Sequence, residues 1–193
     1  MAVPVAFAAA SPLLAWREPI YIVAGLAGVT AMALMLLQPL LAAGYLPSLT
    51  LVRARSVHRW IGALLVALVL VHVVGLYFTS PPDVIDVLLF RSPTPFSVWG
   101  VIAMWAVFLS ALFAGMRQSK RLRPRTFRLA HAALAALIVV GTIAHALLIE
   151  GTMETVSKIA LSALIFIAAA KSALDLRLFV LRRRRAVAET ERR

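Results

Sequence analysis

Five stretches of this chain, about 20–43, 58–79, 96–116, 128–149 and 156–181, are long and apolar enough to cross a lipid bilayer, which takes about 20 apolar residues per helix. Proline-bearing breaks separate them: "GYLPS" (44–48), "SPP" (80–82), "RSPTP" (91–95) and "LRP" (122–124). A residue without an N–H ends one helix or opens the next. In hydrocarbon every backbone N–H and C=O needs an internal partner, so an open sheet edge is excluded and helices remain. The composition agrees, with 62% of the 193 residues hydrophobic and a mean hydropathy of +0.93, against roughly half apolar residues in soluble domains. The expected fold is therefore all-α, an integral membrane bundle of about five transmembrane helices. Residues 1–19, opening "MAVPVAFAAASPLLAW", lack the positive start of a signal peptide and are expected to lie at the interface or pack on the bundle. Residues 20–181 form the membrane domain, and 182–193, opening "RRRR", form a basic cytoplasmic tail expected to be a solvated end.

The net charge of +12 and pI near 11.6 could point to nucleic acid. The basic residues, however, sit beside apolar segments, where they set topology and meet anionic headgroups, so no nucleic-acid partner is expected. Arg53, Arg55 and Arg59 fall in the first connection, and Arg117, Lys120, Arg121, Arg123, Arg125 and Arg128 in the third. The second holds Asp83 and Asp86 with one Arg91, and the fourth is "EGTME", with Glu150 and Glu154. The positive-inside rule then puts connections one and three and the C-terminus in the cytoplasm and the N-terminus outside. A multi-pass protein of a cell membrane follows, on this pattern a bacterial inner membrane. Asp83, Asp86, Glu150 and Glu154 are read as solvated loop charges and not as a metal site.

Only four histidines occur, and they bracket two of the oily runs: "HRWIGALLVALVLVH" (58–72) and "HAALAALIVVGTIAH" (131–145). Each pair is fourteen residues apart, about 40° short of four whole helical turns, so both rings share a face. The rise is roughly 21 Å, within a hydrocarbon core of about 30 Å. The two segments run in the same direction. His58 can therefore face His131 toward the cytoplasm, and His72 can face His145 toward the outside.

Zinc would want four protein ligands, and no Asp, Glu or Cys lies near either pair at membrane depth. Haem brings four nitrogens and needs two axial ligands, and its faces suit walls of Ala, Val, Leu and Ile. Two b-type haems are the expected cofactors, with His58 and His131 on the inner iron and His72 and His145 on the outer. The chain has no cysteine, which excludes covalent c-type haem and iron–sulfur ligation. Small residues near the ligands, Gly62, Gly75, Gly141, Ala132 and Ala144, are expected to admit the macrocycle. Arg55, Arg59 and Arg128, within a turn of the inner histidines, are expected to meet propionates as well as fix topology. Tyr77 and Thr79 are weaker candidates outside. No G-x-G-x-x-G occurs at a strand–helix junction, so no flavin or nicotinamide site is expected. "GLAG" (25–28) reads as a helix-packing pair.

These runs resemble the ferric reductase-like transmembrane domain, the membrane part shared by ferric reductases and NADPH oxidases. "VHRWIGALLVALVLVHVVGLY" is similar to that family's first haem helix, "FRLAHAALAALIVVGTIAHAL" to its second, and "PFSVWGVIAMWAVFLSAL" to the helix between. The resemblance spans about residues 20–180. It implies two haems that pass single electrons outward from a cytoplasmic flavin, on His58 with His131 and His72 with His145. Two departures stand out. The common six-helix form has a further helix ahead of this chain's first span, for which only residues 1–16 remain. The attached flavin and nicotinamide domain is not expected within these 193 residues. Some members place an aromatic residue between the haems. Residues 61–71 and 132–144 hold none, and Trp105 or Phe108 could fill that place or simply pack.

The expected function is transmembrane electron transfer by a cytochrome b. The donor would be a flavoprotein or a quinol, and the acceptor ferric iron or an external partner protein. A quinol-linked subunit of a larger redox complex is an alternative, and a haem-free histidine relay in a transporter is one of another class. Because the chain has no cysteine, the topology is directly testable. Asp86→Cys and Glu154→Cys should react with a membrane-impermeant maleimide on intact cells, and Arg121→Cys only after permeabilisation. The reverse pattern overturns the orientation.

Overall fold

The computed structural model describes the backbone of residues 2–119 and 121–190 and the side chains of 3–119 and 121–176. Lys120 of the third connection and residues 191–193 of the expected tail lie outside the described residues. Every regular element among those described is helical: α1 (Ala2–Ala9), α2 (Pro19–Met35), α3 (Leu37–Ala43), α4 (Leu51–Thr79), α5 (Pro81–Leu88), α6 (Pro95–Gln118), α7 (Pro124–Leu148) and α8 (Thr155–Thr190), with a short 3-10 turn at Pro12–Leu14 between the first two. Five spans are long and apolar enough to cross a membrane: Pro19–Ala43, Leu51–Thr79, Pro95–Gln118, Pro124–Leu148 and Thr155–Leu176.

Local chemistry sets the ends. Proline stands in the first turn of α2, α5, α6 and α7, where its missing N–H costs nothing and its fixed φ suits a helix. Thr50 caps α4 by accepting from the Arg53 N–H. The α2–α3 span is broken at Leu36. Pro39 explains the break, because it cannot donate to the Met35 carbonyl and its ring crowds that oxygen. Gly44 closes α3 with φ +72, a left-handed geometry that favours glycine.

Three expectations change. Arg53, Arg55, Arg59, Arg125 and Arg128 are not in loops but on helix, because α4 and α7 start seven residues before their first histidine. The second connection is not plain loop, since α5 occupies half of it. Residues 182–190 of the expected tail are helical and not irregular, because α8 continues through the arginine run to Thr190, with nothing in its sequence to stop it.

Packing divides the spans into two units. α2 lies antiparallel on α4, and α6 on α7, while α8 closes the bundle against α3 and α7. α1 packs on α2 and α8 and buries Ala8. The densest core joins α2, α7 and α8 through Val29, Met32, Ala146, Leu161 and Ile165. Glycine permits the α2–α4 approach at Gly75, where a Cβ would stand 2.7 Å from that of Ala24. At the other end Lys171 pairs with Asp175 at 2.7 Å, and the Tyr45 hydroxyl joins both, tying the end of α3 to α8. The large apolar residues left outside, such as Leu64, Val74, Leu137, Phe166 and Ile167, make the outward surface a lipid-facing one.

Ile165 is fully buried at the centre of that core. Ile165→Ala should destabilise the detergent-solubilised protein by about 2–4 kcal/mol through the cavity it leaves, read as a lowered melting temperature. An unchanged melt would show that α8 is not a structural member of the bundle.

Candidate functional site

α4 and α7 carry the histidines, yet the tight seams are α2 on α4 and α6 on α7, with no comparable seam between α4 and α7 among the described residues. The imidazoles look across the gap so formed. The His58 and His131 ring centres are 6.2 Å apart, and those of His72 and His145 are 6.5 Å apart. Both pairings hold at once only if α4 and α7 run parallel. A metal ion bonded at about 2 Å to one nitrogen of each ring holds the ring centres roughly 6 Å apart, so both gaps have the span of a two-imidazole ligand set. Among the described residues no group of three or more His, Cys, Asp or Glu gathers anywhere, so such a metal must bring further ligands of its own.

Every ring is fixed through Nδ1. His72 Nδ1 lies 2.8 Å from the Ala24 carbonyl, His145 Nδ1 2.9 Å from the Phe96 carbonyl and His58 Nδ1 3.3 Å from the Gln38 carbonyl. His131 Nδ1 lies 2.9 Å from the Ser110 hydroxyl. A carbonyl can only accept, so at three rings Nδ1 carries the proton and Nε2 keeps its lone pair, and the hydroxyl can set the fourth the same way. This is the outer hydrogen bond that orients a metal-binding histidine. The acceptors repeat the histidine spacing: Ala24 and Gln38 are fourteen residues apart, and so are Phe96 and Ser110. Antiparallel packing turns equal spacing on neighbours into two levels of matched bonds.

Glycine makes room for the rings. A Cβ on Gly28 would stand 2.9 Å from His72 Nδ1, and one on Gly100 2.7 Å from His145 Nδ1. "GLAG" is therefore more than a packing pair, since its second glycine seats an imidazole. The expected small residues act differently. Gly75 and Gly141 pack α4 on Ala24 and α7 on Trp99 and Ala103. Gly62 lies beside the Gln38 side chain, and Ala132 is exposed.

A cavity of about 290 Å³ opens at the His72–His145 level. Its walls are chiefly apolar, from Met32, Met35, Leu65, Val69, Met104 and Ile138, and α5 contributes Val84, Val87 and Leu88. Trp105 and Phe108 do not line it. They stack edge to face at 5.9 Å, and Trp105 is half exposed. Tyr77 also points outward, and Thr79 donates to the Leu76 carbonyl of its own helix. Lys158, absent from the sequence reading, does line it. Arg55, Arg59 and Arg128 are exposed on the same helices as His58 and His131, and Phe127 stacks on His131 at 5.2 Å. Asp83, Asp86, Glu150 and Glu154 are exposed at connections.

Five apolar spans define a multi-pass helical membrane protein, and two imidazole pairs stand at two levels within it. The family model for the ferric reductase like transmembrane component matches residues 24–142, more than half of the chain, and the protein belongs to that family. The match takes in His58, His72 and His131, and His145 follows three residues beyond it. Comparison with curated proteins and with solved structures finds no match.

The glycine seats yield a paired test. Gly100→Ala drives a methyl into a ring held by the Phe96 carbonyl and should lower the melting temperature in detergent. Gly115 has open space around it, so Gly115→Ala should be neutral or stabilising by about 0.5–1 kcal/mol. Equal effects would mean that the His145 ring is free to move aside.

Proposed function

We propose that this protein is a transmembrane electron-transfer cytochrome b that holds two b-type haems, one above the other, between α4 and α7. The observation that carries this reading is the pair of imidazole gaps of 6.2 and 6.5 Å with every Nδ1 already engaged. The Nε2 lone pairs of His58, His72 and His145 remain, with that of His131 beside them when Ser110 accepts, and among the described residues no cluster of carboxylates or thiolates completes a bare-ion site. Haem fits this donor set because it lacks only its two axial ligands. When bound, it supplies reversible one-electron chemistry.

The chain's own residues do the rest. His58 and His131 hold the cytoplasmic level, and His72 and His145 the external one, in the orientation that the basic connections favour. The carbonyls of Ala24, Gln38 and Phe96 and the Ser110 hydroxyl hold the four rings in place. Apolar side chains around the upper level exclude water, and α5 covers it. Arg55, Arg59 and Arg128 lie where they can pair with carboxylates at the cytoplasmic end. Electrons would enter there from a separate flavoprotein or a membrane quinol and leave outside to ferric iron or an acceptor protein. The setting is a cell membrane.

The test is haem stoichiometry. Purified protein should show a b-type Soret band and two haems per chain by pyridine haemochrome assay. His72→Ala or His145→Ala should each remove one haem and spare the other, as should His58→Ala or His131→Ala at the second level. Protein without a Soret band overturns the reading, and one haem in the wild type removes one level. Reduction of the bound haems by quinol alone would favour the quinol as donor over a flavoprotein.

A further inference from the structure

We infer that Lys158 and Thr152, which line the same cavity, form a binding site for a carboxylate at its Ile149 end, an inference that rests on the two-haem reading above. Lys158 is a lysine inside a membrane-spanning helix, only 7% exposed, and it lines the same cavity as His72 and His145. Its ammonium has three donors. One goes to the Ile149 carbonyl at 2.6 Å. No carboxylate pairs with it among the described residues, although Glu150 and Glu154 are close in sequence and exposed.

A bare structural role leaves most of this unexplained. The Ile149 carbonyl is the end of α7, so Lys158 does cap that helix. An arginine or an asparagine at the surface would do so without bringing a charge into an apolar wall, and a buried charge is costly unless paired. Lys158 also sits in the first turn of α8, where the helix dipole opposes a cation, while the end of α7 favours one. The two ends offset each other, and a net positive charge stays on the cavity wall. Thr152 adds a second donor. Its Oγ1 lies against Gly25, where a Cβ would come within 2.6 Å, and it too lines the cavity. Ile149 stands one helical turn beyond His145, so the two donors border the His72–His145 level at its open end.

Two carboxylates could lie there, one belonging to the tetrapyrrole and one to a soluble iron chelate approaching from outside. Measurements on the purified full-length protein separate them. The haem potentials are titrated for wild type, Lys158→Gln and Lys158→Arg, and reoxidation of the prereduced protein is followed with ferric citrate and with an uncharged quinone. A cation beside a haem favours the electron-rich reduced state. If the carboxylate is the tetrapyrrole's own, Lys158→Gln lowers the potential of the haem that depends on His72, leaves the other unmoved and loosens haem retention. If it is the chelate's, haem retention is unchanged and half-saturation by ferric citrate rises several-fold with no change for quinone. Lys158→Arg should restore either.

Unchanged haem retention together with unchanged citrate kinetics overturns the inference and leaves Lys158 as the cap of α7 alone, whatever its charge does to the potential. A wild type without haem removes the underlying reading and this inference with it, an outcome visible before any variant is made. Should Lys158→Gln not accumulate as folded protein, Thr152→Val reads the same quantities with the lysine intact. It should move them in the same direction by less, and no movement overturns the site.

Discussion

An imidazole inside a membrane has to place its ring N–H on an acceptor, and here the acceptors are a neighbouring helix's own backbone or a buried hydroxyl. Each such bond contributes modestly, about 0.6 kcal/mol on average between membrane helices. Its larger consequence is geometric. With Nδ1 fixed on Ala24, Gln38, Phe96 or Ser110, the other nitrogen of each ring is committed to the gap between α4 and α7. The rest of the arrangement depends on that commitment: which tautomer each ring holds, which helices must be neighbours, and where glycine has to stand.

The same bonds describe two similar antiparallel hairpins. The broken span α2–α3 and α4 form one, with Ala24 of α2 against His72 and Gln38 of α3 against His58. α6 and α7 form the other, with Phe96 against His145 and Ser110 against His131. Gly28 and Gly100 occupy matching places, four residues beyond the acceptor. Each hairpin thus supplies one imidazole to each level, and neither level exists without both hairpins. The levels are not equal. The His72–His145 level has glycine seats, the α5 cover and the apolar cavity, whereas the second has a serine hydroxyl as one hydrogen-bond partner, a bend at Leu36 and exposed arginines nearby.

Much of this was legible in the residues. Span number and approximate limits follow from apolar length and proline, because a bilayer allows few alternatives. The shared face of His58 with His72 and of His131 with His145 follows from helical pitch. Other features were misread for identifiable reasons. Arginines judged to be loop residues lie on α4 and α7, since a helix need not end where the hydrocarbon does. Gly75 and Gly141 looked like ligand-side space and turned out to be helix contacts, because nearness in sequence to a histidine does not say which side of the helix a glycine occupies. The fourteen-residue echo in Ala24/Gln38 and Phe96/Ser110 was present but silent, because a backbone carbonyl has no residue type to betray it.

The sequence by itself determined an all-helical membrane chain with two equally spaced histidine pairs, since hydropathy, proline and pitch are local properties. Only the tertiary structure decided that α4 and α7 stand apart on separate partners. The same holds for Gly28 and Gly100 lying beneath the rings and for Lys158 reaching the cavity wall from the last helix. Those outcomes depend on which helix faces are pressed together, and contacts between residues far apart in the chain are a property of the packed bundle alone.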